Sequence, residues 1–269
     1  MKAVKHPGIC QICGQLKELT AEHIPPQKAF NSSSATIYPF KEVTKILTGT
    51  DGRMPWDTQG LKGVPQQGGY KRYCLCQPCN NNTGQWYMRT YSDFVNTIHN
   101  MIHEENLAAG NSYSFTIQNF YPLRLYKAMM TMMCDINNNC FGDDNLRQFI
   151  LTKESNTLDT QRYSLHMFLV SPSITRIKGG AGLFIARNDF VIVSEVASYP
   201  LGFALYLDKP STYVPFGLNV NNLLTAGYYD QMDVLFHEVP FVELNSHLPV
   251  DYRTREQIVD DMQYCQKRK

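Results

Sequence analysis

The chain has 269 residues, an ordinary globular composition and a formal net charge of +1. That length allows one large domain or two modest ones with an independent core, and near-neutrality argues against gripping polyanions through a broad basic surface. The residual asymmetry favours nucleic acid at the N-terminal end: eleven Lys/Arg against eight Asp/Glu through Gly110, then fourteen against sixteen.

Residues 1–7 have no apolar core of the secretory kind, and no apolar stretch has the length of a membrane span. The expectation is a soluble, cytoplasmic protein. In that compartment Cys-x-x-Cys pairs hold metal or do redox chemistry more readily than they form structural disulfides.

Taken in order, residues 8–30 carry the first cysteine pair and Glu22-His23-Ile24-Pro25-Pro26. Consecutive prolines exclude a helix there and favour a strand or turn. Residues 31–69, rich in serine and glycine, predict a loop-rich insertion with a short helix over 41–47. Residues 70–75 predict a strand running into the second cysteine pair. From Thr83 a helix is expected, because Tyr87, Tyr91, Phe94, Ile98 and Ile102 recur at three- and four-residue steps; Thr83 or an asparagine before it is the candidate cap. Residues 107–111, with Gly110, end that helix and mark a domain boundary. Beyond it the pattern is α+β: a strand over 113–117, a methionine-rich helix over 121–136, a turn, and a short helix over 145–151. Strands follow at 163–170, 183–186, 190–194, 203–207 and 234–244, then a surface helix over 253–265. There is no internal repeat and no coiled coil.

Two Cys-x-x-Cys pairs, Cys10/Cys13 and Cys76/Cys79, suit a tetrahedral Zn²⁺ that ties two distant loops together. Gly14 and Pro78 suit the tight turns such knuckles need. Four thiolates saturate the ion and leave no position for a reacting water, so this zinc is structural. Cys74 is an alternative to Cys76 but stands at the wrong spacing from Cys79, and His6 is a stray candidate ligand. Cys74, Cys134, Cys140 and Cys265 read as buried or free thiols.

The order Cys-x-x-Cys, an acid followed by His, then Cys-x-x-Cys-Asn leading into a helix resembles the HNH, or ββα-metal, endonucleases. The likeness is closest to their zinc-tied members, including phage recombination endonucleases, and covers roughly residues 8–105. It rests on residues 19–26 and on the run from Cys76 to Gly84. The resemblance implies an N-terminal zinc-stabilised ββα-metal domain over 1–110 with a long insertion, followed by an α+β domain over 111–269. It implies His23 as the general base on the attacking water. Glu22, usually Asp in the family, and Asn80 would be the oxygen ligands of one catalytic Mg²⁺ or Mn²⁺. It further implies products with 5′-phosphate and 3′-hydroxyl ends. The middle asparagine of the pattern has no clear match in the insertion, Asn31 being the nearby candidate; Asn81 and Asn82 compete with Asn80.

Singly, a Glu-His pair is ordinary loop surface and an asparagine run an ordinary cap or turn. Together, between and beside two cysteine pairs, they point to phosphodiester chemistry. Lys71 and Arg72, just before the second knuckle, are the candidate phosphate contacts, with Arg53, Lys62 and Arg89 as further options and Trp56 and Trp86 as stacking residues. His166, His237 and His247 lack ligand spacing. The expected function is metal-dependent hydrolysis of DNA, without sequence preference, in defence against phage or mobile DNA, with homodimerisation or a partner protein controlling it. The alternative is a catalytically inactive zinc-organised module that binds nucleic acid or protein. Cleavage of RNA is a third option.

Overall fold

The computed structural model describes residues 5–48, 53–186 and 189–266. It is a mixed α+β protein. Strands β1 (Pro7–Ile9), β2 (Leu16–His23) and β5 (Lys71–Cys76) form a three-stranded antiparallel sheet in the order β1-β2-β5. The turn between β1 and β2 is the first cysteine knuckle. Gly14 closes it at φ +69, a conformation that suits glycine. The insertion holds a two-stranded ribbon, β3 (Ala35–Ile37) with β4 (Val64–Gln66), and helix α1 (Phe40–Thr48).

Helix α2 (Gln77–Thr83) leaves β5 without a loop and carries Pro78 in its first turn, where the missing N–H is no loss. It continues through a π-helical turn over Gly84–Met88 into α3 (Arg89–Glu104). The helix therefore begins six residues before Thr83. Neither Thr83 nor an asparagine caps it; Cys76 occupies that position without a side-chain cap. The apolar stripe from Tyr87 to Ile102 is buried as its periodicity requires.

Strand β6 (Ser112–Phe120) leads into α4 (Pro122–Ile136) and then α5 (Asp144–Leu151). Strands β7 (Tyr163–Val170), β8 (Arg176–Ala186), β9 (Asp189–Ser198), β10 (Leu201–Leu207) and β12 (Met232–Val242) join β6 in a large sheet. Its order is β6-β12-β7-β10-β9-β8, with the short β11 (Leu218–Asn219) on β7. Among the described residues, only the β12–β7 pairing in this sheet is parallel. Helix α6 (Arg255–Gln266) closes the described chain. The expected strand at 183–186 proves to be the far end of β8. Gly179 and Gly180 hid the rest, and a Cβ on Gly179 would lie 2.4 Å from the Ile136 carbonyl oxygen. Cys134 and Cys140, expected as separate thiols, are disulfide-bonded: the 3₁₀ turn at Asn138–Gly142 folds Cys140 back on the end of α4. Cys74 is free and buried, while the Cys265 side chain lies outside the described residues.

Gly110 marks a turn in the chain but not a gap in the core. Tyr91 and Phe94 of α3 meet Phe203, Phe120 and Phe236 of the large sheet, at ring-centre distances of 6.0, 5.4 and 5.3 Å. The backbones also cross-link there, Gly110 N–H to the Phe241 carbonyl and Phe241 N–H to that of Asn111.

Asp143 caps α5, accepting from the amides of Asn145 and Leu146. Burial would raise its pKa, but the Tyr163 hydroxyl, those two amides and Arg162 more than reverse this and hold it below the usual carboxylate range. A carboxyl depressed in the folded state adds stability above its unfolded pKa and loses it as pH falls through the folded value. Asp143→Asn keeps a capping oxygen but loses the charge that Tyr163 and Arg162 meet; it is therefore expected to cost about 1 kcal/mol at pH 7, with the gap in melting temperature closing below about pH 4. Melting curves of both proteins from pH 7 to 3 read this directly; a gap that widens with acid contradicts it.

Candidate metal centre and adjoining acid–histidine–amide site

The two knuckles converge. The Sγ atoms of Cys10, Cys13, Cys76 and Cys79 all lie within 4.8 Å of one another. Cys13 and Cys76 stand 3.8 Å apart, which is about the edge of a tetrahedron whose arms are a Zn–S bond of ~2.3 Å. The Cys79 thiol hydrogen-bonds to the Cys10 sulfur and lowers its pKa against the opposing effect of burial. The Cys76 amide also donates to the Cys10 sulfur at 3.3 Å. The four sulfurs thus form a possible metal site, compatible with structural zinc. His6 is accounted for elsewhere, stacked on Tyr73 at 3.6 Å.

Beside this cluster, β2 and β5 pair with Glu22 opposite Arg72 and His23 opposite Lys71. Asn80, in the first turn of α2, donates to the Thr20 hydroxyl at 3.0 Å and hydrogen-bonds the Glu22 carboxyl. Glu22 and Asn80, distant in sequence, are therefore in contact. Burial pushes the Glu22 carboxyl up to about 7, and the bond from Asn80 only partly offsets this. A buried carboxyl in that condition lacks a compensating positive charge.

His23 ends β2. Its Nε2 is buried and has no hydrogen-bond partner among the described residues. Burial and then the charge of Lys71 lower its pKa, opposed by a hydrogen bond with the Gly68 backbone, so the neutral imidazole is favoured. Arg72 turns inward, its Nη1 donating to the Ile136 carbonyl at 2.8 Å.

Asn31 braces the pair of strands. Its Nδ2 donates to the carbonyls of Pro25 (2.6 Å) and Tyr70 (2.9 Å), while its Oδ1 accepts from the Tyr70 amide (2.7 Å). The loop leaving His23 is thereby fastened to the start of β5. Sequence reasoning could only name Asn31 as nearby, since a 39-residue separation from Tyr70 leaves no local signal. Gly69, at φ +88, makes this approach possible: a Cβ there would sit 1.9 Å from the Asn31 carbonyl oxygen. Asn31→Ala leaves the part-buried Pro25 carbonyl and Tyr70 amide without this partner, while the Tyr70 carbonyl keeps the Ile24 amide; it is expected to cost about 2 kcal/mol, with Gly69→Ala at least as damaging. The urea midpoints of the zinc-loaded proteins measure both, and unchanged midpoints would show the brace to be idle.

No family model matches the chain, and neither a curated protein nor a solved structure matches it. The function must be argued from the site alone. Of the other sequence candidates, Arg53 donates to the Gln59 carbonyl within the insertion, and Trp86 packs edge-on against Tyr87. Arg89 is exposed beside Asp93. His166, His237 and His247 are separate, on β7, on β12 and in the loop after β12. Among the described residues no helix is long and apolar enough to cross a membrane.

Proposed function

We propose that the chain is a metal-dependent endonuclease of HNH type that hydrolyses DNA phosphodiester bonds. The reading is carried by one observation: the Glu22 carboxyl and the Asn80 amide meet, and the next residue of β2, His23, has a buried Nε2 without a hydrogen-bond partner among the described residues. The succession β2, β5, α2 supports a ββα unit, with the insertion accommodated between its strands. Asn31 does the work that the middle asparagine does in that pattern.

The donors fit a hard divalent cation. A carboxylate and an amide oxygen suit Mg²⁺ or Mn²⁺, and the unbalanced burial of Glu22 is what a bound cation would offset. When bound, the ion supplies Lewis-acid polarisation of the phosphate and stabilises charge on the leaving 3′ oxygen.

The chain's own residues supply the rest. His23 Nε2, without a hydrogen-bond partner among the described residues, accepts the proton of the attacking water. The hydrogen bond to the Gly68 backbone orients the ring. Lys71, opposite His23, is placed to contact a phosphate, whereas Arg72 mainly ties β5 to α4. The four cysteines hold the frame and take no part in the chemistry. A near-neutral surface suits an enzyme that waits for an activating partner or a second copy, as defence against phage or mobile DNA would require.

The test is incubation of supercoiled plasmid with the purified zinc-loaded protein and Mg²⁺ or Mn²⁺, wild type beside His23→Ala. Nicking that disappears in the variant supports the enzyme. Cleavage equal in both is contamination, and the head is then a zinc-organised binding module. Single-stranded RNA in parallel tubes decides the nucleic acid.

A further inference from the structure

Helix α4 is buried at every position but Arg124, yet it carries a polar row at four-residue steps: Lys127, Thr131 and Asp135, each 0% exposed. Two of the three are satisfied within the fold. Lys127 Nζ donates to the carbonyls of Phe149 (2.5 Å) and Thr152 (2.7 Å), and Thr131 donates to the Lys127 carbonyl (2.7 Å). Asp135 is not. Both of its carboxylate oxygens lack a hydrogen-bond partner among the described residues. A buried carboxyl without a partner is disfavoured as the anion unless a cation compensates it, so the third member of the row has room for a ligand that the first two do not need.

Its surroundings say which. The last turn of α4 is fastened to β5 by the hydrogen bond from Arg72 to the Ile136 carbonyl, the residue next to Asp135. Arg72 is in turn the cross-strand neighbour of Glu22. Asp135 lies within electrostatic reach of Glu22, of the Cys10 sulfur and of Arg72. Two buried acids, Glu22 and Asp135, thus come within reach of one another, and the guanidinium between β5 and α4 already has its Nη1 engaged with a carbonyl. A cation bound here would offset the burial of both carboxyls.

We propose that Asp135 is a third oxygen donor to the divalent cation bound by Glu22 and Asn80. This rests on the reading of Glu22 and Asn80 as metal ligands. It makes the metal centre a joint product of the N-terminal hairpin and of a helix beyond Gly110. Two carboxylates and an amide oxygen form a harder, more anionic set than a single carboxylate with an amide, and the set favours Mn²⁺ or Mg²⁺ over softer ions.

The experiment uses the full, zinc-loaded chain with Mn²⁺ alone as probe. Binding is read from loss of the free-ion EPR signal and from the Mn²⁺-induced rise in melting temperature. Wild type, Glu22→Gln and Asp135→Asn are compared, each checked for zinc content and circular dichroism. The expected result is a Kd raised at least ~10-fold in both variants, with the Mn²⁺-induced rise lost, while Asp135→Asn melts no lower than wild type without Mn²⁺.

A second measurement needs no variant. In wild-type protein labelled with ¹³C at the aspartate side-chain carboxyl, a Mn–¹³C hyperfine coupling is expected, because Glu22 is unlabelled. Asp135→Asn with wild-type affinity, or no such coupling in a protein that binds Mn²⁺, overturns the proposal and leaves the nuclease reading intact. A wild type that binds no Mn²⁺ overturns both, and Glu22→Gln with undiminished binding overturns the Glu22–Asn80 site itself.

Discussion

Replacing His23 by alanine is expected to lower Mg²⁺- or Mn²⁺-dependent nicking of supercoiled DNA by ~10²–10⁴-fold, the range a positioned general base supplies. The substitution removes a ring whose Nε2 has no partner among the described residues, so the stability cost is confined to its bond with the Gly68 backbone and some packing. Zinc content, circular dichroism and melting temperature should stay close to wild type. That combination, chemistry lost and fold kept, separates a base from a structural histidine. His23→Ala at full speed would end the nuclease reading whatever the metal content.

Stripping zinc from the four-cysteine site, if the site is loaded as its geometry allows, should act in the opposite way, on the fold first. Zinc bound by four thiolates contributes folding free energy, about 10–16 kcal/mol in isolated zinc modules near neutral pH. Here Cys10 is fully buried and Cys76 and Cys79 are nearly so, leaving three or four sulfurs crowded within 4.8 Å without a cation. Exhaustive chelation, or Cys79→Ser, is expected to unfold the β1–β2–β5 sheet and α2, with a drop of tens of degrees in the onset of melting. Elemental analysis should give one zinc per native chain. A protein that keeps its melting curve with no zinc bound would show the knuckles to be held by their own hydrogen bonds.

The sequence carried the site's local features well and its distant ones poorly. The cysteine pairs, Glu22-His23 and Asn80 were legible because metal-ligand spacing and the Cys-Asn junction are short-range patterns. The stripe from Tyr87 to Ile102 announced a buried helix for the same reason. The helix start was misplaced because β5 passes into α2 with no loop and no capping side chain. Strand β8 was cut short because its glycines, which weaken a strand signal, are there to let the Ile136 carbonyl approach. Asn31 and Asp135 were out of reach for another reason. One acts across the insertion on Tyr70, and the other is a single acid inside an apolar, methionine-rich helix. Its only mark was the four-residue step from Lys127 and Thr131, a pattern that becomes meaningful once burial is known.

The Ile136 carbonyl is held from one side by Arg72 and pressed from the other by Gly179 of the large sheet, while Tyr91 and Phe94 lie against that sheet's aromatic rings. Truncation after Gly110 would therefore not liberate a working head. It would bare the whole inner side of α3 to water and cut away the anchorage of β5, and the fragment should come out of expression sticky and aggregated rather than active.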